Sequence, residues 1–478
     1  MKFRITILFL LLTATFAYTQ EKVELKHADK LTGKVINGQN VREAEGNVNF
    51  EQGNVKVFCN SATQYLDINK VELHGNVKIY QDTLTLFTSN AIYYGTDRTA
   101  ICTGGVTLKD PKATLTANSG IYYFSQAKAF FKGDVKIVNP EYVITSAELT
   151  YLRNTQDSFA KGNVVVTTDS AVITADNIDF YKLQGKTIAI SNVKIISDST
   201  IITSDTLYNF SFEKKSIAKN NVKVENPNSN IQITGNYLEN YETRSYSFIK
   251  GNAKFLQFEK DKEKDKDTLF IYSDTMEAFR KKPEYYIARD SVEVIKSDFN
   301  AKCNYAIYAK TNSEGKENIT LMNNPIIWQE NMQMTGDSIY ATLSNKKLEN
   351  VFARKLKDLK DSKKSFVIIQ YLDTAFTDRF DQINGEDITM YFTEGKLTYC
   401  EVNKNSNSIY FLWENKKADG VNISEGENMF IYFDADQKVD KIRIDKNPKG
   451  QYVPEVLIKT VNLKLPEFNY RTDRPVKR

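Results

Sequence analysis

A short phrase, Gly-Asn-Val or a close variant, returns through the first half of the chain at a constant interval of 29 residues. Looser copies follow at Gly251-Asn252-Ala253, Asp290-Ser291-Val292 and Asn323-Asn324-Pro325. A fixed period of this length is typical of repeat proteins, in which each unit completes its core only by stacking on its neighbours. The valines of the seven clear copies are Val48, Val77, Val106, Val135, Val164, Val193 and Val222.

Apolar and polar residues alternate directly after each valine. The residue that follows it is polar in every copy except the one with Val165, and the next residue is again apolar. Alternation with a period of two predicts a strand with one buried face. The second apolar residues are Phe50, Ile79, Leu108, Ile137, Val166, Ile195 and Val224. Together with the seven valines they form the candidate inner stripe of the sheet.

Turn-forming and apolar positions also recur within each unit. Asp or Pro, which favour turns, occupy one column, and a second apolar column stands nine residues beyond the valine. The turn column contains Asp82, Pro111, Pro140, Asp169, Asp198 and Pro227. The apolar column contains Val57, Leu86, Leu115, Ile144, Ile173, Ile202 and Ile231. No helical periodicity accompanies them. The pattern predicts an all-β, solenoid-like stack of units, each with several short strands and a tight turn of positive φ before the valine.

The chain ends differ in character from the repeats. Lys2 and Arg4 precede the apolar run Ile5–Ala17, which predicts that residues 1–19 are a secretory signal peptide and that the exported protein is soluble. An uncleaved membrane anchor is the alternative. Residues 20–350 are predicted to form the repeated domain and 351–447 a set of longer repeats of the same kind. The stretch 448–478 reads as a proline-rich basic tail.

Charge and composition remove several classes of function. The chain of 478 residues has 64 Lys and Arg against 60 Asp and Glu, a net charge of +4, which argues against nucleic-acid binding. His27 and His74 are the two histidines, so a His-based triad or multi-His metal centre is excluded. We find no cofactor motif, and we expect no enzymatic activity. Cys59, Cys102, Cys303 and Cys400 are predicted to be buried free thiols rather than disulfides.

The iterated phrase Gly-Asn-Val-x-apolar, followed by small-polar-x-apolar-x-Tyr, resembles the OstA/LptA family of lipopolysaccharide-transport proteins. The resemblance covers about residues 40–350, with further units of this type at 375–445. It implies an open β-jellyroll, in which two facing sheets hold the acyl chains of lipid A in an apolar trough. It also implies partners at the inner and outer membranes and end-to-end self-association. The family motif fixes no binding residue, so the fourteen stripe residues are trough candidates from their alternation alone.

Three functions remain open from the sequence. A periplasmic bridge that carries lipopolysaccharide towards the outer membrane agrees with the exported, helix-free repeat. A structural or adhesive exported β-solenoid would have the same alternation, with the stripe forming a dry core filled by its own side chains. A polysaccharide-acting enzyme on a β-helix would need a cluster of carboxylates. An open apolar trough would favour the first function, and a closed core would favour the second.

Overall fold

The computed structural model describes residues 21–477, apart from 112, 198–199, 229, 259–267, 312–314, 346, 358, 372–375, 415–416 and 437. The predicted signal peptide and the turn residue Asp198 lie outside the described residues, and so does 259–267, an unbroken run of charged residues that predicts a solvated loop. The chain divides into two compact units, Met1–Gln184 and Gly185–Arg478. The domain limits predicted at 350 and 447 stay predictions.

The first unit is built from antiparallel strands that pair in chain order from β3 onwards, while β1 and β2 both pair with β3. Two short 3₁₀ segments, Phe124–Gln126 and Lys182–Gln184, lie at strand ends. The strands are β1 (Glu24–His27), β2 (Lys30–Ile36), β3 (Gln39–Gln52), β4 (Val55–Tyr65), β5 (Lys70–Gln81), β6 (Leu84–Tyr94), β7 (Thr99–Lys109), β8 (Thr114–Tyr123), β9 (Lys128–Val138), β10 (Tyr142–Leu152), β11 (Asp157–Thr168) and β12 (Val172–Tyr181).

The second unit continues the same antiparallel pairing from β13 to β20. These strands are β13 (Lys186–Ser197), β14 (Thr200–Phe210), β15 (Lys215–Asn226), β16 (Ile231–Tyr241), β17 (Tyr246–Gln257), β18 (Leu269–Phe279), β19 (Tyr285–Ile295) and β20 (Asn300–Lys310). The remaining strands are β21 (Lys316–Met322), β22 (Ile326–Gln329), β23 (Met332–Thr335), β24 (Ser338–Ser344), β25 (Lys347–Arg354), β26 (Ser365–Gln370), β27 (Phe380–Gly385), β28 (Asp387–Thr393), β29 (Lys396–Glu414), β30 (Lys417–Phe433), β31 (Val439–Asp445) and β32 (Lys449–Pro454). A 3₁₀ segment, Glu455–Thr460, follows β32.

The repeated phrase lies inside a strand, where the chain takes two successive residues with positive φ. Gly46 and Asn47 have φ of 75° and 44°, and the ladder with β4 shifts register at this point. Glycine and asparagine tolerate this left-handed conformation better than other residues, which explains their place before the valine. An extra residue in a strand bends it, so the parts before and after the pair form two walls.

Two expectations about the repeat are therefore corrected. The phrase is not a turn between several short strands: the strands β3–β20 have 10 to 14 residues, and each repeat contains two of them. The positive φ itself is confirmed, also in the looser copies at Gly251, Asp290 and Asn323. The same double positive φ returns at Lys404–Asn405 and Lys446–Asn447, in the part of the chain predicted to have longer repeats.

Beyond β20 the two walls become separate strands. β20 pairs with both β21 and β22. One branch continues through β24, β25 and β28, and the other through β23, β26 and β27. Both branches reach β29, whose 19 residues pair with β28 and β27 at different points along their length. The bend within one long strand is thus replaced by a break between two short strands.

The C-terminal segment is bound against the second branch. The side-chain amide of Gln382 donates to the carbonyl of Leu463 at 2.7 Å and accepts from the N–H of Leu465 at 2.9 Å. Gln333 makes the same pair of bonds with the main chain further along the segment. Both glutamines are 1% exposed. The main chain of this segment therefore supplies hydrogen bonds to the two side-chain amides and covers them. Without the segment, the alternation along β23 and β27 would direct these amides to solvent.

Burial on the inner face agrees with the alternation in the sequence. All seven repeat valines are at most 3% exposed. The four cysteines are buried free thiols, as predicted, and burial raises the pKa of Cys102 to about 12. Within the described ranges, no helix has the length and apolar character that crossing a membrane requires.

The glycine positions of the bend can be tested with two alanine substitutions in the first unit. Gly162 has φ of +80°, and a Cβ added there would lie 2.9 Å from the Cβ of Ala147. Gly105 has φ of +88° with no atom within 4 Å of such a Cβ. Gly105→Ala should cost about 1 kcal/mol of unfolding free energy because of its backbone conformation alone. Gly162→Ala should cost about 1–3 kcal/mol more because of the clash. Equal losses in urea unfolding would show that the contact with Ala147 is unimportant.

Asp381 in β27 should make stability depend on pH. Its carboxylate accepts hydrogen bonds from the Phe411 N–H at 2.9 Å and the Tyr371 hydroxyl at 2.8 Å, and burial raises its pKa to about 7. Because the folded-state pKa exceeds the unfolded value of about 3.8, the neutral form stabilises the fold below about pH 4. This stability is lost as the pH rises through about 7.

Asp381→Asn should therefore remove that pH dependence, which amounts to about 1.4 kcal/mol for each unit of pKa difference. Urea unfolding at pH 4.5 and 7.5 measures it, with Asp274→Asn, an exposed carboxyl on β18, as the control. A pH slope unchanged by Asp381→Asn would contradict the assignment.

Candidate functional site

Two rows of inward side chains cross the strands, one on each wall. The row beyond the bend is apolar throughout, and within each unit each of its members pairs directly with the next across the ladder. In the first unit it contains Phe50, Val57, Ile79, Leu86, Leu108, Leu115, Ile137, Ile144, Val166 and Ile173. In the second unit it contains Ile195, Ile202, Val224, Ile233, Phe255, Ile271 and Val294. The apolar column thus holds Ile233 rather than Ile231, because Val224 pairs with Ile233.

The row before the bend changes composition along the chain. In the first unit large aromatic residues fill every second place in it from β6 to β12, and two of them, Tyr93 and Tyr122, are 1% exposed. In the second unit amides and an alanine take these places from β14 to β18, and Tyr308 restores an aromatic ring in β20. The aromatic positions are Tyr93, Tyr122, Tyr151 and Phe180, and the corresponding residues of the second unit are Asn209, Asn240 and Ala278. From β14 to β18 the second unit therefore lacks, at these places, the rings that fill the first unit.

A cavity of about 400 Å³ lies in the second unit where these smaller residues occur. Both walls contribute: Val224, Ile233 and Phe255 come from the apolar row, and Asn240 and Ala278 from the other row. Further apolar lining comes from Ile202, Ile231, Leu238, Ile249, Ile271, Met276, Val294 and Ile319. A more open depression in the first unit, of about 450 Å³, lies over the bends near Gly104 and Gly105 and has many polar neighbours.

The fourteen sequence-predicted trough residues divide between these two environments. Twelve are buried, including all ten in the first unit, where they pack as a core. Ile195 and Val224 are half-buried, and of the fourteen Val224 is the residue that lines the cavity. Binding of lipid by any of the fourteen stays a prediction. The alternation identified the inner face correctly but could not show where that face is left unfilled.

The remaining cavity residues were missed by the sequence analysis, although a signal for them exists. In the first unit the residue before the last position of the returning strand is aromatic, as Tyr93 is before Tyr94. In the second unit Asn209 and Asn240 stand before Phe210 and Tyr241. An asparagine in place of a tyrosine at an inward position fills less of the interior. The change therefore marks the place where the core contains a cavity.

A small polar cluster stands on the cavity wall. Arg280 donates to the side-chain oxygens of Ser247 and Asn240, the latter at 2.9 Å, and the Ser247 hydroxyl donates to Asn240 Oδ1 at 2.9 Å. Glu277 also borders the cavity, and its carboxylate accepts from Arg289 at 2.9 Å and from Tyr246 at 2.7 Å. Burial against the wall lowers the pKa of Arg280.

Few titratable side chains line the cavity. Its titratable side chains are Glu277, Arg280, Tyr286 and Tyr308, and burial raises the pKa of both tyrosines. His27 and His74 both lie in the first unit. Among the residues that the structure describes, no three His, Cys, Asp or Glu side chains are grouped so as to hold a metal ion. The lining is mainly apolar, which suits contact with an apolar ligand.

Comparison with known proteins bears on the first unit. Residues 20–176, about a third of the chain, match the family model described as OstA-like protein. The matched segment is similar to OstA-like proteins. It contains the most regular copies of the 29-residue repeat, and its family is associated with lipopolysaccharide transport. No curated protein matches the chain. The OstA-like segment ends before the strands that line the cavity begin.

Two isoleucines of the second unit test whether the cavity wall is less tightly packed than the core. Ile339 is fully buried, and Ile233 is half-buried on the cavity wall. Ile339→Ala should cost about 2–5 kcal/mol because it leaves a new void. Ile233→Ala should cost about 1 kcal/mol because it only enlarges a space already present. Urea unfolding compares them, and similar losses would mean that the wall is packed as tightly as the core.

Proposed function

We propose that this protein is a non-enzymatic periplasmic carrier that binds the acyl chains of lipopolysaccharide in the cavity of its second unit and moves them towards the outer membrane. The observation that carries the proposal is the apolar cavity itself, formed where Asn240 and Ala278 replace the aromatic residues of the first unit. The OstA-like match supports the lipopolysaccharide context.

The physical chemistry of the cavity suits a hydrocarbon chain. Its volume of about 400 Å³ lies within the common range for small-ligand sites. Each CH₂ group moved from water into such surroundings contributes about 0.8 kcal/mol. The walls offer aliphatic side chains from several successive strands, so a chain can be held without directional bonds. Such binding tolerates sliding, which transport requires.

The location and partners belong to the same proposal. The predicted signal peptide supports export to the periplasm. Among the described pairings, β1 and β2 pair with β3 alone, and β31 and β32 with β30 alone. Strands with one unpaired edge can accept a further strand from another chain. We propose these edges as the places for end-to-end self-association or for docking to transport components at the inner and outer membranes.

A structural solenoid without lipid transport remains the second candidate. The observation that favours it is the first unit, in which the inner stripe is a packed core: Val48, Ile79 and Val164 are fully buried. Under this proposal the cavity of the second unit would have no ligand.

Photo-crosslinking in intact cells distinguishes the two candidates. An aromatic photoprobe at Val224, which lines the cavity, should capture lipopolysaccharide. The matched control is a probe at Lys223, the residue directly before Val224 on β15, which faces outward and pairs with Glu225. A third probe at Ile137 tests the sequence-based trough candidate in the first unit. Captured product should be recovered from the periplasmic fraction with residues 1–19 removed.

Capture at Val224 and not at Lys223 would support lipid carriage through the second unit, and additional capture at Ile137 would extend the lipid path into the first. Equal labelling at Val224 and Lys223, or no labelling of a correctly folded protein, would contradict lipid carriage and favour the structural solenoid.

A further inference from the structure

Resting on the proposed function, we infer that Arg280, with Asn240 and Ser247, forms a binding site at the cavity mouth for the phosphate group of an acylated ligand. Arg280 both lines the cavity and is exposed to solvent. A phosphate there would stay hydrated on one side while the attached acyl chains enter the apolar space. The ligand class is therefore a phosphorylated amphiphile.

Hydrogen bonds hold the guanidinium of Arg280 in place and leave some of its N–H groups available to a ligand. Arg280 and Ser247 both donate to Asn240 Oδ1, each at 2.9 Å, and Arg280 also donates to the Ser247 hydroxyl. These bonds use part of the Arg280 donor set. A planar guanidinium with remaining N–H groups matches phosphate oxygens in both charge and shape.

Arg280 forms no close ion pair with the described residues, and the Glu284 carboxylate acts on its charge only from a longer distance. Among the described residues, no carboxylate oxygen is recorded within 4.0 Å of the guanidinium. The nearby carboxylate of Glu277 is bound by Arg289 and Tyr246. A cation beside apolar surface without an anionic partner is costly, and a ligand anion would supply the missing partner.

The equivalent cations in the first unit show the contrast. Arg153 and Lys182 stand two residues after row members Tyr151 and Phe180, as Arg280 stands two residues after Ala278. Arg153 pairs with Asp82 at 3.6 Å, and Lys182 pairs with Glu141 at 3.3 Å. In both of these repeats an acidic side chain pairs with the cation. At the cavity, the described residues leave it available.

The amide partner also has a repeat counterpart. Asn209 and Ser216 form the same 2.9 Å bond one repeat earlier, where Glu242 occupies the position that corresponds to Arg280. The Asn–Ser pair is thus a recurring polar step on this wall. Arg280 converts one of these steps into a positively charged one.

The test compares purified lipid A with the same lipid after removal of its phosphate groups, using the full chain and equilibrium binding. The wild-type protein should bind the phosphorylated lipid about ten-fold or more tightly, because a charge-assisted contact is lost on dephosphorylation. Arg280→Gln should abolish this preference while keeping affinity for the dephosphorylated lipid. Arg280→Lys, which keeps the positive charge but lacks the planar guanidinium, should retain part of the preference for the phosphorylated lipid.

Lys281→Gln is the matched control, since it removes the same charge from the neighbouring exposed residue, which does not line the cavity. Inorganic phosphate alone should bind far more weakly than lipid A, because it gains no apolar contact. Thermal unfolding confirms that each variant is folded, and the wild-type comparison of the two lipids requires no variant.

Each outcome is decisive. Equal wild-type affinity for the two lipids, or a preference that survives in Arg280→Gln, would overturn the phosphate site and leave lipid carriage intact. Binding of inorganic phosphate as tight as that of lipid A would assign the site to a free anion instead. Failure of the wild-type protein to bind either lipid would overturn both the site and the proposed function.

Discussion

The bend inside each long strand is the constraint on which the rest of the structure depends. Two successive residues with positive φ, such as Gly162 and Asn163, turn one antiparallel strand into two wall segments without breaking its pairing. Without the bend, the apolar face of a flat sheet would have nothing of its own to cover it. With the bend repeated at the same place, the walls share one interior. The branching beyond β20 reaches the same arrangement by interrupting the strand completely.

What fills that interior then decides its chemistry. Tyr93 and Tyr122 at the row positions of the first unit are buried and pack as part of its core. Asparagine and alanine at Asn240 and Ala278 leave volume that the aliphatic side chains opposite do not fill. One backbone plan thus yields a packed stack in one unit and a hydrocarbon-sized cavity in the other.

The behaviour of polar side chains beside the interior also depends on which groups surround them. Gln333 and Gln382 are buried, but their side-chain amides are hydrogen-bonded because main-chain groups of the C-terminal segment donate to and accept from both. Asp381 is buried, and this burial raises its pKa although two donors hydrogen-bond to its carboxylate. At the cavity mouth, Arg280 has an amide and a hydroxyl partner but no carboxylate within 4.0 Å among the described residues, which is why a ligand phosphate would complete the site.

Much of the fold could be predicted from the sequence because its period and alternation are local properties of the chain. The 29-residue spacing, the buried valines, the positive φ before them and the free thiols all depend on short-range geometry repeated many times. The strand lengths could not be predicted, since a Gly-Asn pair is equally suited to a hairpin turn and to a bulge. Only the tertiary structure decided which wall residues meet across the interior. Whether Val224 lines open space while Ile79 is fully buried depends on the volume of residues on the opposite wall, which alternation along one strand does not contain.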